Sequence, residues 1–161
     1  MRDFKVIGLM SGSSLDGVDI AYVNFSHDNK TWFFQIVEAG NVPYSEYWKE
    51  QLSLAFNKDK DELKELDKEY GRYLGTITQK FIKKYDMEPK LIASHGHTIF
   101  HRPEEGFTLQ IGDGQEIANA TGIMTINDFR TEDVEKGGQG APLVPIGDRH
   151  LFAEYPICLN I

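Results

Sequence analysis

The chain has 161 residues, 40% hydrophobic and 26% charged, with 17 basic against 25 acidic side chains and a net charge of −8. That length allows one compact domain with a core, and the acidic balance argues against a nucleic acid or an anionic membrane surface as partner. Cys158 is the only cysteine, so no intrachain disulfide can form, and no run approaches the roughly 18 apolar residues of a membrane span.

The opening Met-Arg-Asp-Phe-Lys lacks the apolar run of a signal peptide, so a cytoplasmic protein is expected. Residues 4–10 read as a first strand and 18–25 as a second, joined by a Gly/Ser/Asp stretch longer than a minimal hairpin turn. The aromatic and β-branched run TWFFQIVEAG reads as a third strand. Three strands with short links predict an antiparallel meander.

Helices come next. YSEYWKEQLSLAF offers Ser45 as an N-cap, with Trp48, Leu52 and Phe56 four apart on one face. In DELKELDKEYGRYLGTITQKFIKKY, the residues Leu63, Leu66, Tyr70, Tyr73, Leu74, Ile77 and Phe81 recur at spacings of three and four. Acids lie early and lysines late, as the helix dipole prefers. Gly71 and Gly75 interrupt this helix four residues apart and predict close packing against a neighbour.

After Pro89 strands and helices alternate. KLIASHG and FTLQIGD read as strands, GQEIANATG as a short helix closed by Gly122, and IMTINDF as a further strand. RTEDVEKGGQGAPLVP reads as a long Gly/Pro loop, followed by a short helix through Leu151. YPICLNI reads as the start of a strand, so the chain is expected to continue as a second domain from residues 157–161, with 1–156 as the first. The pattern predicts an α/β fold with a mixed sheet: a three-stranded antiparallel start, then strand–helix alternation.

Three stretches carry residues suited to chemistry. In GLMSGSSLDGVD, small residues let backbone N–H groups approach an anion, and Ser13 and Ser14 add hydroxyl donors. A P-loop is excluded, because no Gly-Lys-Ser/Thr ending is present and a strand follows instead of a helix. Asp16 and Asp19 are candidates to hold a magnesium ion beside phosphates; the alternative is a solvated turn. In SHGHTIFH, His95 and His97 alternate along a strand and can share a ligand, with polar substrate contact from His97 and Thr98 favoured over zinc because no cysteine lies nearby. In NDFRTEDVEKGGQGAP, Arg130 suits bidentate pairing with a carboxylate, or Asp128, Arg130 and Asp133 form an ion-pair cluster. The glycines around Gln139 permit close approach to a ligand.

Taken together, GLMSGSSLDGVD, SHGHTIFHRP…TLQIGD and DFRTEDVEKGGQGAPLVP closely resemble the anhydro-N-acetylmuramic acid kinases, in order and over nearly the whole chain. The resemblance implies a ribonuclease H-like domain of the actin-like ATPase superfamily. It implies an ATP- and Mg2+-dependent reaction in which water opens the 1,6-anhydro bond of the amino sugar while O6 is phosphorylated, in cell-wall recycling. Gly12, Ser13, Ser14, Leu15, Asp16, Gly17, Val18 and Asp19 would then contact ATP. His97, Thr98, Arg130, Asp133 and Gln139 would face the sugar. The catalytic base would lie beyond Ile161, leaving this chain inactive alone, and the full-length protein would be a homodimer. Ser13 stands where the family usually has Thr, His97 where many members have Gln, and Met10 where the wider superfamily places an Asp. The alternatives are a non-catalytic sugar- or nucleotide-binding module and an ATP-driven chaperone-like domain of the same fold.

Overall fold

The structure is a computed structural model that describes residues 2–28 and 30–157. Strands β1 (Arg2–Ser11), β2 (Gly17–His27) and β3 (Trp32–Pro43) form the antiparallel meander, as the sequence predicts. Helix α1 (Glu46–Ser53) begins at the Ser45 cap, whose hydroxyl accepts from Trp48 N–H. Helix α2 (Lys60–Tyr85) follows, closed at its start by a capping box between Asp59 and Glu62. Strand β4 (Leu91–Ser94) then returns parallel to β1.

The hairpin β5 (His97–Arg102) and β6 (Phe107–Ile111) forms a separate two-stranded sheet. Helix α3 (Gly114–Thr121) is capped by Asp113 and ends at Gly122, φ +73°. Strand β7 (Thr125–Ile126) pairs parallel with β4, and helices α4 (Thr131–Glu135) and α5 (Leu143–Leu151) follow. The main sheet runs β3-β2-β1-β4-β7, antiparallel on one side of β1 and parallel on the other. This mixed α/β sheet is the ribonuclease H-like arrangement that the resemblance implies.

Strand alternation sorts the sheet's faces. Ile7, Leu9, Val18, Ile20 and Ile92 turn to one side and are buried with Leu66, Tyr70, Leu74, Ile77 and Phe81 of α2. Gly71 and Gly75 bring α2 against the α3 region. A Cβ on Gly71 would stand 2.6 Å from Asp113 O, and one on Gly75 2.6 Å from Ala120 Cβ.

Several expectations change. Phe56 is 60% exposed, because α1 ends at Ser53 and the next turn is a 3-10 helix, which buries Ala55 in its place. The run after Asp128 contains α4, so it is not loop throughout, and the strand expected in IMTINDF is only two residues long. Of YPICLNI, residues 155–157 are not in a strand, and 158–161 lie outside the described residues.

Candidate functional site at the carboxyl ends of the parallel strands

β1, β4 and β7 lie side by side and parallel, so their carboxyl ends meet on one edge. The three distinctive stretches of the sequence begin at these ends: the Gly/Ser/Asp loop after Ser11, His95–His97 after Ser94, and residues 127–140 after Ile126. Carboxyl ends of parallel strands in an open sheet are where such folds take ligands.

The loop after β1 is bracketed by Tyr44. Its backbone N–H donates to Asp16 O (3.4 Å), and its hydroxyl is 2.6 Å from Ser11 Oγ. Within the loop Leu15 takes φ +56°, and Ser14 Oγ donates to Asp16 Oδ1 at 2.8 Å. The amides of Gly12, Ser13 and Ser14 have no hydrogen-bond partner among the described residues. A concavity of successive free N–H groups suits phosphate oxygens.

The eight residues expected around ATP divide by position. Gly12, Ser13, Ser14 and Asp16 form the partly open tip. Leu15 packs against the core. Gly17 and Val18 already belong to β2: a Cβ on Gly17 would meet Val42 O at 2.5 Å, and the Val18 side chain is wholly buried. Neither position presents a side chain to the loop's open tip. Asp19 accepts from Asn41 Nδ2 at 2.9 Å. Asp16 lines a hollow of about 930 Å³ between the loop and α1. Asp19 instead lines one of about 630 Å³ on the other side of the sheet, floored by Gly8, Ala21, Ala39 and Ala93 and walled by His95 and Leu143. The two candidate magnesium ligands therefore open into different hollows, and no group of three potential metal ligands occurs among the described residues.

His95 and His97 do not share a strand face. Gly96, at φ +69°, separates β4 from β5, and a Cβ there would stand 2.4 Å from Ile111 O. The imidazoles consequently have different partners. His95 Nδ1 is 3.0 Å from Gly96 O, and its Nε2 accepts from Arg130 Nε at 2.9 Å. With Nε2 accepting, Nδ1 carries the proton and His95 is neutral. Burial first, and the nearby Arg130 charge after it, hold its pKa below the ordinary histidine value.

His97 is 4% exposed, and its Nδ1 is 2.8 Å from Ser11 Oγ. Burial, helped by His95, pushes its pKa down to about 4. Thr98 pairs with Gln110 in the β5–β6 hairpin, where Gln110 Nε2 donates to its Oγ1 at 3.4 Å.

The third stretch folds back on the second. Arg130 Nη1 donates to Gly140 O (2.6 Å) while its Nε holds His95. Asp133 Oδ2 accepts from Gly140 N–H at 2.7 Å, and a Cβ on Gly138 would collide with that carboxylate. The expected ion-pair cluster is absent: Asp128 Oδ1 takes the Thr131 hydroxyl at 2.6 Å, and Arg130 makes no ion pair among the described residues. Two of the five guanidinium N–H groups are used, so three remain for a ligand. Gln139 is exposed beside this loop.

Sequence reasoning passed over Ser11, Tyr44 and Tyr70. The hydroxyls of Tyr44 and Tyr70 are 2.5 Å apart, which extends the Ser11–His97 contact into a buried chain of four side chains. Burial raises the pKa of both tyrosines, that of Tyr70 well above the ordinary value. A signal was present for Ser11: it follows Ile7 and Leu9 on the core-facing side of β1, where a hydroxyl needs a partner.

The family model for anhydro-N-acetylmuramic acid kinase matches residues 4–161. A kinase of that name from Shewanella halifaxensis is 40% identical over 170 residues, covering 100% of this chain and 46% of its own length. Its counterpart in Gloeothece citriformis is 37% identical, covering 91% of this chain and 41% of its own. That of Brucella canis is 36% identical, covering 99% and 46%. The chain thus spans less than half the length of these curated relatives. The match takes in all three strand-end stretches and the sheet that gathers them, and by it the chain belongs to the anhydro-N-acetylmuramic acid kinase family.

Proposed function

We propose that this chain supplies the phosphate-loop part of an ATP- and Mg2+-dependent kinase that hydrolytically opens 1,6-anhydro-N-acetylmuramic acid and phosphorylates O6, giving N-acetylmuramic acid 6-phosphate in cell-wall recycling. The observation that carries this reading is the family match over residues 4–161, which includes every residue of the strand-end site. In this reading residues 1–156 are the first, ribonuclease H-like domain and 157–161 lead into a second; the full-length protein is a cytoplasmic homodimer. Among the described residues no helix is long and apolar enough to cross a membrane.

The residues present fit the nucleotide. The free amides of Gly12, Ser13 and Ser14 would receive phosphate oxygens, and Gly12 leaves room for them, since a Cβ there would touch only Ser14 Oγ at 3.5 Å. Magnesium is commonly held by one or two carboxylates together with phosphate oxygens, and would supply neutralisation of the phosphate charge. Asp16, exposed at the loop tip, suits that role; Asp19, in the other hollow and held by Asn41, is the second candidate.

On the sugar side, His97 and Thr98 offer neutral polar contacts, and Gln139 an exposed amide. Arg130 keeps three N–H groups for a carboxylate. Asp133 acts by holding Gly140, so it shapes the loop rather than reacting. Asp128 is occupied in capping α4. Neither is assigned as the base, which in this reading lies beyond Ile161.

The test is a coupled ADP-release assay with anhydro-N-acetylmuramic acid and Mg2+-ATP, run on this chain and on a protein of the relatives' full span. Turnover only in the longer protein is expected, with a Gly12→Val variant losing at least about tenfold in kcat/KM for ATP, the equivalent of roughly 1.4 kcal/mol. Sugar-dependent ADP release from neither protein would overturn the reading and favour a binding module.

A further inference from the structure

His95 is anchored to the sheet on the main chain. It follows Ser94, the last residue of β4, and its backbone N–H donates to Leu9 O of β1 at 3.0 Å. The residue is 8% exposed and lines the hollow that Asp19, Phe129 and Leu143 also line. Arg130, 35 residues further along, bridges from this anchor to the Gly-rich loop. Its Nε donates to His95 Nε2 at 2.9 Å, and its Nη1 to Gly140 O at 2.6 Å. Gly140 is itself fixed. Asp133 Oδ2 accepts from its N–H at 2.7 Å, its φ is +66°, and a Cβ there would stand 2.7 Å from Val134 Cγ2 and 2.9 Å from His101 Cε1.

Two edges of a guanidinium suit an anionic ligand: the side edge of Nε with one Nη, and the end edge of the two Nη atoms. Nε carries a single proton, and His95 accepts it. The side edge is thereby closed to a ligand, and the three N–H groups that remain all belong to Nη1 and Nη2. The chemical nature of the acceptor matters as much as its place. A carboxylate at this position would orient Arg130 and also neutralise it. A neutral imidazole orients the guanidinium and leaves its charge for a ligand. Burial first, and the Arg130 charge after it, hold the His95 pKa below the ordinary histidine value, so the acceptor is present at neutral pH. Arg130 makes no ion pair among the described residues, and Asp133, the acid nearest in the loop, is engaged with the Gly140 N–H.

We propose that His95 is a positioning residue: it occupies the Nε–H of Arg130, so that an anionic oxygen of the ligand meets this arginine through its Nη edge alone. One anchor lies on the sheet and the other on the loop, and together they fix both the plane of the guanidinium and the edge it presents. A long side chain with many rotamers is thereby ordered before any ligand arrives, which lowers the entropy lost on binding. His95 acts through Arg130 and contacts no ligand itself. The ligand half rests on the kinase reading, in which Arg130 faces the sugar and the group it meets is a carboxylate.

The positioning half is read in this chain without ligand or variant. An N–H···N hydrogen bond gives a scalar coupling between its two nitrogens, so 15N NMR is expected to show Arg130 Nε coupled to His95 Nε2; absence of that coupling overturns the proposal. Two variants then separate positioning from packing. His95→Gln keeps an acceptor oxygen at about the reach of Nε2, and His95→Ala removes it. The Arg130 Nε–H is expected to exchange with water at least about tenfold more slowly than that of the exposed Arg102 in the unaltered chain and in His95→Gln, and to lose this protection in His95→Ala. Equal exchange in the two folded variants overturns the proposal, since a merely structural His95 gives the arginine no acceptor to lose. The ligand half is read as steady-state kinetics in a protein of the relatives' full span. His95→Ala is expected to raise KM for anhydro-N-acetylmuramic acid at least about fivefold while kcat changes less, and His95→Gln to restore most of it. An unchanged KM, or a loss that His95→Gln does not restore, overturns this half. Absence of turnover in the unaltered full-span protein overturns the kinase reading and the ligand half with it, and leaves the coupling result standing.

Discussion

Individual side chains at the strand ends are held in single protonation states by what surrounds them. His97 titrates near 4 in the folded protein against 6.5 ordinarily, so between these values the unfolded chain binds more protons. Its contribution to stability is complete above about pH 6.5 and is lost as pH falls toward 4, amounting to about 3 kcal/mol at most. His95 is shifted in the same direction. Urea denaturation between pH 7 and 4 is expected to show this fall, and His97→Gln to flatten part of it; a pH-independent midpoint would refute the buried neutral imidazole. Arg130 acts at the same scale on a different partner. Arg130→Ala removes the donors to His95 and Gly140 O, so amide exchange around Gly140 should quicken by at least about fivefold, from a bond worth roughly 1 kcal/mol or more. Unchanged exchange there would show that Asp133 alone holds the loop.

Helix α2 is the element on which the site rests. It supplies Tyr70 to the buried hydroxyl chain that ends at His97, and at Gly71 and Gly75 it lets α3 approach closely. Asp67 on the same helix accepts from Gly112 N–H at 2.7 Å, fixing the end of β6 to it. In an exposed helix interior Gly→Ala raises stability by up to about 1 kcal/mol. Here the added methyl of Gly75→Ala would meet Ala120 Cβ at 2.6 Å, and overpacking of this kind costs about 1–3 kcal/mol. A net loss of stability is therefore expected by thermal or denaturant unfolding, and a gain would mean that α3 shifts freely. The spacing of these glycines was readable in the sequence as close packing. Their partner was not, because α3 lies about forty residues further along the chain and only the fold brings it near.

Across the whole molecule, helices α2 and α3 cover one side of the sheet while much of the other remains open. Phe4, Met10, Phe34 and Ile36 lie at outward positions of β1 and β3, and each is at least 42% exposed. Val144 and Ile146 of α5 add 54% and 55%. Apolar exposure on this scale favours association. Light scattering of this chain over a tenfold concentration range is expected to show an average mass that rises with concentration; a constant monomer mass would refute it.

The amino-acid sequence by itself determined the meander, the long amphipathic helix, the caps at Ser45 and Gly122 and the three stretches that carry the chemistry, because strand alternation, helical spacing and turn residues are local signals. It also carried the family, through motifs spread in order along the chain. Tertiary structure decided which of these residues meet. Gly96 parts His95 from His97, Arg130 turns from an expected ion pair to His95 and Gly140, and Asp16 and Asp19 open into separate hollows. The buried contacts that link Tyr70, Tyr44, Ser11 and His97 belong wholly to the fold: their partners are separated by 26, 33 and 86 residues, and no local pattern encodes the pairing of side chains that only packing brings within 3 Å.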